Sequence, residues 1–140
     1  MFAPRRLDDT VSVAPQIMPE DLPAIAAAGF RAIVNNRPDH EEPGQPAGDA
    51  IRVAAAAAGL AYHTIPIAGG MQMADLSATA AAFAEGPTLA FCRSGTRSCH
   101  LWALARAQAG DDPAEVIAKA AAAGYDLRML AATLAALAAR

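Results

Sequence analysis

Residues 88–98, with the sequence TLAFCRSGTRS, carry a cysteine from the end of an apolar strand into a short polar loop. The chain then continues as a helix to about residue 109, so this stretch predicts strand, loop and helix in succession. Backbone N–H groups of such a loop can surround an anion, and the helix N-terminus adds partial positive charge. We therefore predict that Cys92 is a nucleophile whose thiolate form is favoured by this field.

Two arginines lie within five residues of Cys92. Arg97 supplies a full positive charge and a planar fork of donors at the start of the helix, so we predict that it acts with Cys92 in catalysis. The remaining loop residues are predicted to bind substrate. They are Arg93, Ser94, Gly95, Thr96 and Ser98. The alternative is a buried structural cysteine with arginines on the surface, but two arginines and a glycine at this spacing have no evident packing purpose.

Strands and helices alternate outward from this unit. The alternation predicts a single-domain α/β fold over residues 1–140, with a mostly parallel four-stranded sheet flanked by helices. Strands are predicted at residues 10–13, 30–34, 60–67 and 88–91. Helices are predicted at residues 19–28, 48–58 and 75–85, from the loop above to residue 109, from residue 112 onward, and at 127–139.

A long polar loop with three prolines, residues 35–48, leaves the carboxyl end of a predicted strand, where parallel sheets bind ligands. Asn36 and Arg37 begin it, and they are predicted either to contact substrate or to form the local turn. Asp39 is the candidate general acid, with Glu41 and Glu42 as further candidates. The alternative for these acids is a solvated loop or a salt bridge to Arg37.

Composition narrows the function classes. The 140 residues are 54% apolar and 18% charged, which excludes a disordered chain, and the net charge of −3 argues against a nucleic-acid partner. No apolar run reaches the roughly 20 residues of a membrane span. With two cysteines and no apolar segment behind the charged N-terminus, the expected location is the cytoplasm. No metal-ligand spacing is present, so we expect neither a metal nor a cofactor.

The loop resembles the active-site loops of both rhodanese sulfurtransferases and protein tyrosine phosphatases. Together with NNRPD at 35–39 and EEPGQP at 41–46, it resembles the phosphatase-like domain family of β-lactamase-hydrolase-like proteins, over about residues 6–109. The resemblance implies a protein tyrosine phosphatase-like α/β fold. The family is also described as a sulfur transferase. It occurs fused to persulfide dioxygenase or sulfide–quinone oxidoreductase domains, which implies a sulfide-oxidising oxidoreductase as a partner.

Two features favour sulfur transfer over phosphate hydrolysis. Four residues separate Cys92 from Arg97, whereas tyrosine phosphatases have five, and no acid occurs at residues 68–70, where phosphatases of this fold place theirs. We therefore predict a sulfurtransferase that forms a Cys92 persulfide from a small anionic sulfur compound and passes the sulfur to a thiol acceptor. The first alternative is a tyrosine or dual-specificity phosphatase that forms a phosphocysteine from a phosphoester, and the second is a non-catalytic anion-binding or interaction module. Cys99 is predicted to be a small buried hydrophobe, or otherwise a resolving thiol.

Overall fold

The computed structural model describes residues 2–140, which contain five strands and six α-helices. The strands are β1 (Arg5–Arg6), β2 (Val11–Ala14), β3 (Ala32–Asn35), β4 (Ala61–Thr64) and β5 (Thr88–Phe91). The helices are α1 (Leu22–Ala27), α2 (Gly48–Ala57), α3 (Met73–Phe83), α4 (Thr96–Gln108), α5 (Pro113–Ala122) and α6 (Ala131–Ala138). Short 3-10 turns precede α1 at Pro19–Asp21 and α6 at Arg128–Leu130.

The strands form one sheet in the order β1-β2-β5-β3-β4, in which β1 is antiparallel to β2 and the other pairs are parallel. Phe91, the last residue of β5, lies opposite Ala14 of β2 and Asn35 of β3. The three central strands therefore end in register. The segments that follow them begin side by side at one edge of the sheet, and the predicted catalytic loop is the middle one.

Alternate strand residues face opposite layers of helices, as the pleat of a strand requires. Ile33 and Leu89 pack with α1 and α2, whereas Val34 and Ala90 pack with the layer that contains α4. Helix α4 contacts α3, α5 and α6, and buried residues lie all around it, including the five consecutive residues 101–105. The start of α4, which carries the catalytic loop, is thus fixed by packing on several sides.

The predicted α/β fold with a mostly parallel sheet is confirmed, but the sheet has five strands rather than four. The additional strand, β1, has only two residues and pairs antiparallel at the edge, so it carries no detectable apolar pattern. Strand β4 is shorter than predicted because its regular backbone pairing with β3 does not continue: the Ile65 carbonyl accepts from Asn36 Nδ2 at 2.9 Å, and the Arg37 N–H donates to Asn35 Oδ1 at 2.9 Å. The C-terminal helix also begins later than predicted, because a 3-10 turn occupies Arg128–Leu130.

Across residues 2–140, no helix combines the length and the apolar character needed to cross a bilayer.

Leu134 tests whether the C-terminal helices belong to the same cooperative unit as the sheet, as the predicted single domain requires. This α6 side chain is fully buried, and α6 packs on α4. Replacing it with alanine should lower the free energy of unfolding by about 2–5 kcal/mol, because a cavity is left in the shared core. Urea unfolding monitored by circular dichroism measures the change. Met129→Ala, at a side chain that is 68% exposed, is the control and should have little effect. Equal stability of both variants would contradict a shared core.

Candidate active site

Cys92 follows β5 directly and is buried at the carboxyl edge of the sheet. Its N–H donates to the Ala14 carbonyl at 3.4 Å, which continues the pairing with β2. The chain then turns at Gly95, whose φ of 91° lies in the left-handed region, and enters α4. The Gly95 N–H donates to Cys92 Sγ at 3.1 Å. The sulfur therefore lies at a helix N-terminus and accepts a backbone hydrogen bond, an arrangement that stabilises an anion.

Arg97 uses one edge of its guanidinium to bind other parts of the protein. Its Nη1 donates to Glu41 Oε2 at 2.7 Å and to the Ile67 carbonyl at 2.8 Å, and its Nη2 donates to Glu41 Oε1 at 2.8 Å. This leaves the Nε–H and one Nη2–H on the opposite edge. The Glu41 carboxylate raises the pKa of Arg97, and the neighbouring Cys92 sulfur raises it further. Arg97 is therefore a permanent cation beside the nucleophile, with donors available for an anionic substrate.

Arg37 organises the segment from residue 38 to residue 47, which we call the acidic loop. Its side chain is 2% exposed. It donates through Nε to Glu41 at 2.9 Å, through Nη2 to Glu42 at 2.8 Å and through Nη1 to Gln16 Oε1 at 3.0 Å. Arg37 thus binds the acidic loop and the segment after β2, and contact of this side chain with a substrate stays a prediction.

Glu41 lies between two guanidinium groups. The hydrogen bonds from Arg97 lower its pKa to about 2, and Arg37 contributes to the decrease. Together the two arginines outweigh the effect of partial burial, which would raise the pKa. Glu41 therefore stays ionised in this position and cannot donate a proton near neutral pH. The salt bridge to Arg37, which was the alternative interpretation of the acidic residues, is the arrangement found for both Glu41 and Glu42.

Asn36 and Ser98 form a buried polar joint behind the loop. Ser98 Oγ donates to Asn36 Oδ1 at 2.8 Å, and Asn36 Nδ2 donates to the Ile65 carbonyl at 2.9 Å. The Asn36 N–H donates to the Phe91 carbonyl at 2.9 Å. These bonds connect the ends of β3 and β5, the segment after β4, and the first turn of α4. Both residues are therefore placed to hold the loop in shape from beneath.

The side chains of Arg93, Ser94 and Thr96 lie on the exposed side of the loop. Arg93 is 69% exposed, and its Nη2 lies 3.7 Å from Glu42 Oε2. Ser94 Oγ donates to Thr96 Oγ1 at 3.0 Å. Substrate binding by these three side chains stays a prediction, but their exposure leaves them accessible to a ligand.

Asp39, the candidate general acid, contacts a helix rather than the cysteine loop. Its Oδ1 accepts a hydrogen bond from the Gly48 N–H at 2.8 Å and so caps the first residue of α2. With Arg52 and Thr64 it lines a cavity of about 330 Å³ over the ends of β3 and β4. A role as acid stays a prediction, and it would require Asp39 to release this amide.

Cys99 lies in the core on the first turns of α4 and has no exposed surface. Burial raises its pKa to about 12, and the nearby Cys92 contributes to the increase, so it remains a neutral thiol. This environment is that of a small buried hydrophobe. Among the described residues, no group of three or more His, Cys, Asp or Glu side chains is arranged to hold a metal ion.

Three contacts of the site could not be foreseen from the sequence. Gln16 binds Arg37, the Ile67 carbonyl binds Arg97, and the Tyr125 hydroxyl donates to the Ser94 carbonyl at 3.2 Å. The register of β2 beside β5 brings Gln16 to the site, and only a knowledge of strand order would have indicated it. Tyr125 lies 31 residues beyond Ser94, outside every motif of the loop.

Comparison with known proteins identifies the family. The sequence model of the beta-lactamase hydrolase-like protein, phosphatase-like domain, matches residues 4–109. The chain belongs to this family. It is 43% identical over 108 residues to the beta-lactamase hydrolase-like protein of Agrobacterium fabrum, covering 75% of this chain and 25% of the relative. It is 39% identical over 125 residues to that of Xylella fastidiosa, covering 86% and 29%. The phosphatase-like domain thus spans about a quarter of the length of these relatives.

Solved structures place the domain among phosphatase folds. A candidate phosphatase of Neisseria meningitidis is 34% identical and superposes with a TM-score of 0.79 over 94% of this chain and 96% of its own. PTPMT1 is 16% identical, with a TM-score of 0.73 over 98% and 94%. The second likeness shows the fold alone. The phosphatase-like domain therefore has a protein tyrosine phosphatase-like fold, and its cysteine loop fits a cysteine-dependent, phosphatase-like function.

Glu41 should make the stability of the domain sensitive to acid. Its pKa is lowered from 4.5 to about 2, so its ion pairs contribute stability that is complete above about pH 4.5 and is lost as the pH falls toward 2. We expect Glu41→Gln to be less stable than the wild type at neutral pH and to lose less stability over this interval. Urea unfolding at a series of pH values measures both effects.

Glu115→Gln is the control for this experiment, because Glu115 is an exposed glutamate in the first turn of α5. Its pH dependence should follow the wild type. A Glu41→Gln variant that also follows the wild-type curve would show that the contacts with Arg37 and Arg97 contribute nothing to folding stability.

Proposed function

We propose that this domain hydrolyses phosphomonoesters through a phosphocysteine at Cys92. The observation that carries the proposal is the Cys92 sulfur at the N-terminus of α4, with the Gly95 N–H at 3.1 Å and Arg97 beside it. Backbone amides and a guanidinium edge are the donors that a phosphoryl group uses. The similarity to a candidate phosphatase, at 34% sequence identity, also supports phosphate hydrolysis.

The reaction has two displacements at phosphorus. The Cys92 thiolate attacks, so that an S–P bond forms while the bond to the ester oxygen breaks, and the alcohol leaves with the electron pair and takes up a proton. Water then attacks the phosphocysteine and the S–P bond breaks. The thiolate is regenerated, and inorganic phosphate, which takes up the oxygen and the protons of the water, is released. Arg97 and the amides of the loop stabilise the charge on the equatorial oxygens in both steps.

The source of the proton for the leaving group restricts the substrate. Glu41 is ionised between two arginines, Asp39 caps α2, and residues 68–72 contain no acid. Esters whose leaving group is already a weak base need little protonation, whereas alkyl esters need a general acid worth about 10²–10⁴ in rate. We therefore propose aryl phosphates, such as phosphotyrosine, as the preferred substrate class, with Asp39 as acid only if it leaves the Gly48 amide.

Sulfur transfer is the second candidate, and the short spacing between Cys92 and Arg97 together with the missing acid at residues 68–72 favours it. In this reaction the thiolate attacks the outer sulfur of thiosulfate, the S–S bond breaks, and sulfite leaves. The Cys92 persulfide then gives its outer sulfur to a thiol acceptor. No proton donor is needed for the first step. A sulfide-oxidising oxidoreductase would be the corresponding partner.

Hydrolysis of p-nitrophenyl phosphate tests the first proposal. Cys92→Ser should abolish turnover, and Arg97→Lys should lower kcat/KM by about 10², because lysine lacks the planar fork. Arg93→Lys is the matched control in the same loop, and its loss should be much smaller since Arg93 is 69% exposed. Equal losses at the two arginines would contradict the assigned roles. Steady-state release of nitrophenolate is the measurement.

Mass spectrometry of the Cys92 peptide separates the two candidates. After incubation with thiosulfate, the Cys92 peptide of a sulfurtransferase gains the mass of one sulfur, whereas that of a phosphatase gains none. In a second sample, quenched during turnover of p-nitrophenyl phosphate, the Cys92 peptide of a phosphatase carries a phosphate adduct. We expect the phosphate adduct. A persulfide without any phosphate adduct would reverse the order of the two proposals.

Asp39→Asn should leave aryl phosphate hydrolysis nearly unchanged. A loss of about 10² or more with a phosphotyrosine peptide, whose phenolate is a stronger base than nitrophenolate, would assign Asp39 as the general acid.

A further inference from the structure

The peptide unit between Ser94 and Gly95 is held at both of its polar ends. Its N–H, on Gly95, donates to Cys92 Sγ at 3.1 Å, and its C=O, on Ser94, accepts a hydrogen bond from the Tyr125 hydroxyl at 3.2 Å. A trans peptide is planar, so these two groups point in opposite directions. A donor that fixes the carbonyl outward therefore directs the N–H toward the sulfur.

Tyr125 lies close behind this peptide and has little freedom to move. It is 8% exposed, and the guanidinium of Arg5 stacks over its ring at 5.4 Å from the centroid. A β-carbon on Gly95 would collide with the Tyr125 hydroxyl, which shows how closely the phenol approaches the loop. Burial raises the pKa of Tyr125, Arg5 opposes the shift, and Cys99 and Cys92 add to it. The phenol thus keeps its proton and remains a donor.

We propose that Tyr125 is a positioning residue for the nucleophile: its hydroxyl orients the Ser94–Gly95 peptide and thereby stabilises the Cys92 thiolate. Hydrogen bonds in series polarise one another, so a donor on the carbonyl strengthens the bond that the N–H makes to sulfur. Tyr125 touches no reacting atom and acts only through this peptide. Its effect on turnover rests on the proposed function, whereas its effect on the sulfur does not.

The preceding peptide is held in a similar way, which supports the interpretation. The Arg93 carbonyl accepts a hydrogen bond from the Gln16 N–H at 3.3 Å, so this carbonyl also faces away from the sulfur. That donor belongs to the backbone and cannot be removed by an ordinary substitution. Tyr125 is the side-chain donor through which the outward orientation of the loop carbonyls can be tested.

Tyr125→Phe removes the hydroxyl and keeps the ring. The readout is the rate at which iodoacetamide alkylates the Cys92 peptide as a function of pH, followed by mass spectrometry so that Cys99 does not contribute. Other groups around the sulfur, namely Arg97, the Gly95 amide and Cys99, are unchanged in the variant. Because one hydrogen bond is weakened, we expect the pH midpoint to rise and the rate at neutral pH to fall about threefold to tenfold.

Tyr62→Phe is the matched control, because the Tyr62 hydroxyl also donates to a backbone carbonyl at 3.2 Å, that of Gly48, and lies on β4 at the edge of the sheet. Its alkylation midpoint should equal that of the wild type. Tyr125→Leu separates the contribution of the hydroxyl from that of the ring. This variant should unfold at a lower urea concentration than Tyr125→Phe, but its pH midpoint for alkylation of Cys92 should be the same. An unchanged midpoint in Tyr125→Phe, or equal shifts in the Tyr62 and Tyr125 variants, would overturn the proposal.

Turnover of p-nitrophenyl phosphate completes the experiment. If the domain is a phosphatase, kcat for Tyr125→Phe should fall by about the same factor as alkylation, with little change in KM, because the thiolate rather than substrate binding is affected. A wild type without phosphatase activity would contradict the proposed function. The shift in the alkylation midpoint would still support the role of Tyr125.

Discussion

The buried guanidinium of Arg37 is the contact on which the arrangement of the site depends. A charge with a side-chain exposure of 2% is tolerated only when its donors are matched by acceptors, because an uncompensated buried charge costs several kcal/mol. Glu41, Glu42 and Gln16 supply these acceptors. Satisfying Arg37 therefore brings the acidic loop and the segment after β2 to the same place, next to the cysteine loop.

One carboxylate, that of Glu41, connects Arg37 with Arg97. Glu41 accepts hydrogen bonds from both arginines, so the position of the second guanidinium is set relative to the first. The Ile67 carbonyl fixes Arg97 from another direction. The guanidinium of this flexible side chain is thereby fixed beside the Cys92 sulfur. Pre-organisation of this kind reduces the entropy that must be lost when an anion binds.

The parts of the site that are local in sequence could be predicted, and the parts that depend on distant contacts could not. An apolar strand, a glycine and a helix within residues 88–98 are enough to indicate the Cys92 loop. Arg97 and Glu41, which form an ion pair, are 56 positions apart in the sequence. Glu41 and Asp39 are both carboxylates in the same polar loop, so the sequence alone does not distinguish their roles. Only the fold shows that Glu41 binds arginine, whereas Asp39 caps a helix. Strand β1 was not predicted because its two exposed arginines show no alternation of apolar and polar residues, and only its pairing with β2 makes it a strand.

Two independent constraints, one on the backbone and one on the space for a side chain, require glycine at position 95. They limit which positions of the loop can vary among relatives. Its backbone lies in the left-handed region, and the space beside its α-carbon is filled by the Tyr125 hydroxyl. A smaller residue at 125 would remove the collision but not the backbone strain, so a change at 125 does not by itself make another residue acceptable at position 95. Arg93 and Ser94 face solvent and are under neither constraint. Evolutionary drift in this loop is therefore expected to accumulate on its outer side chains, while the glycine is retained.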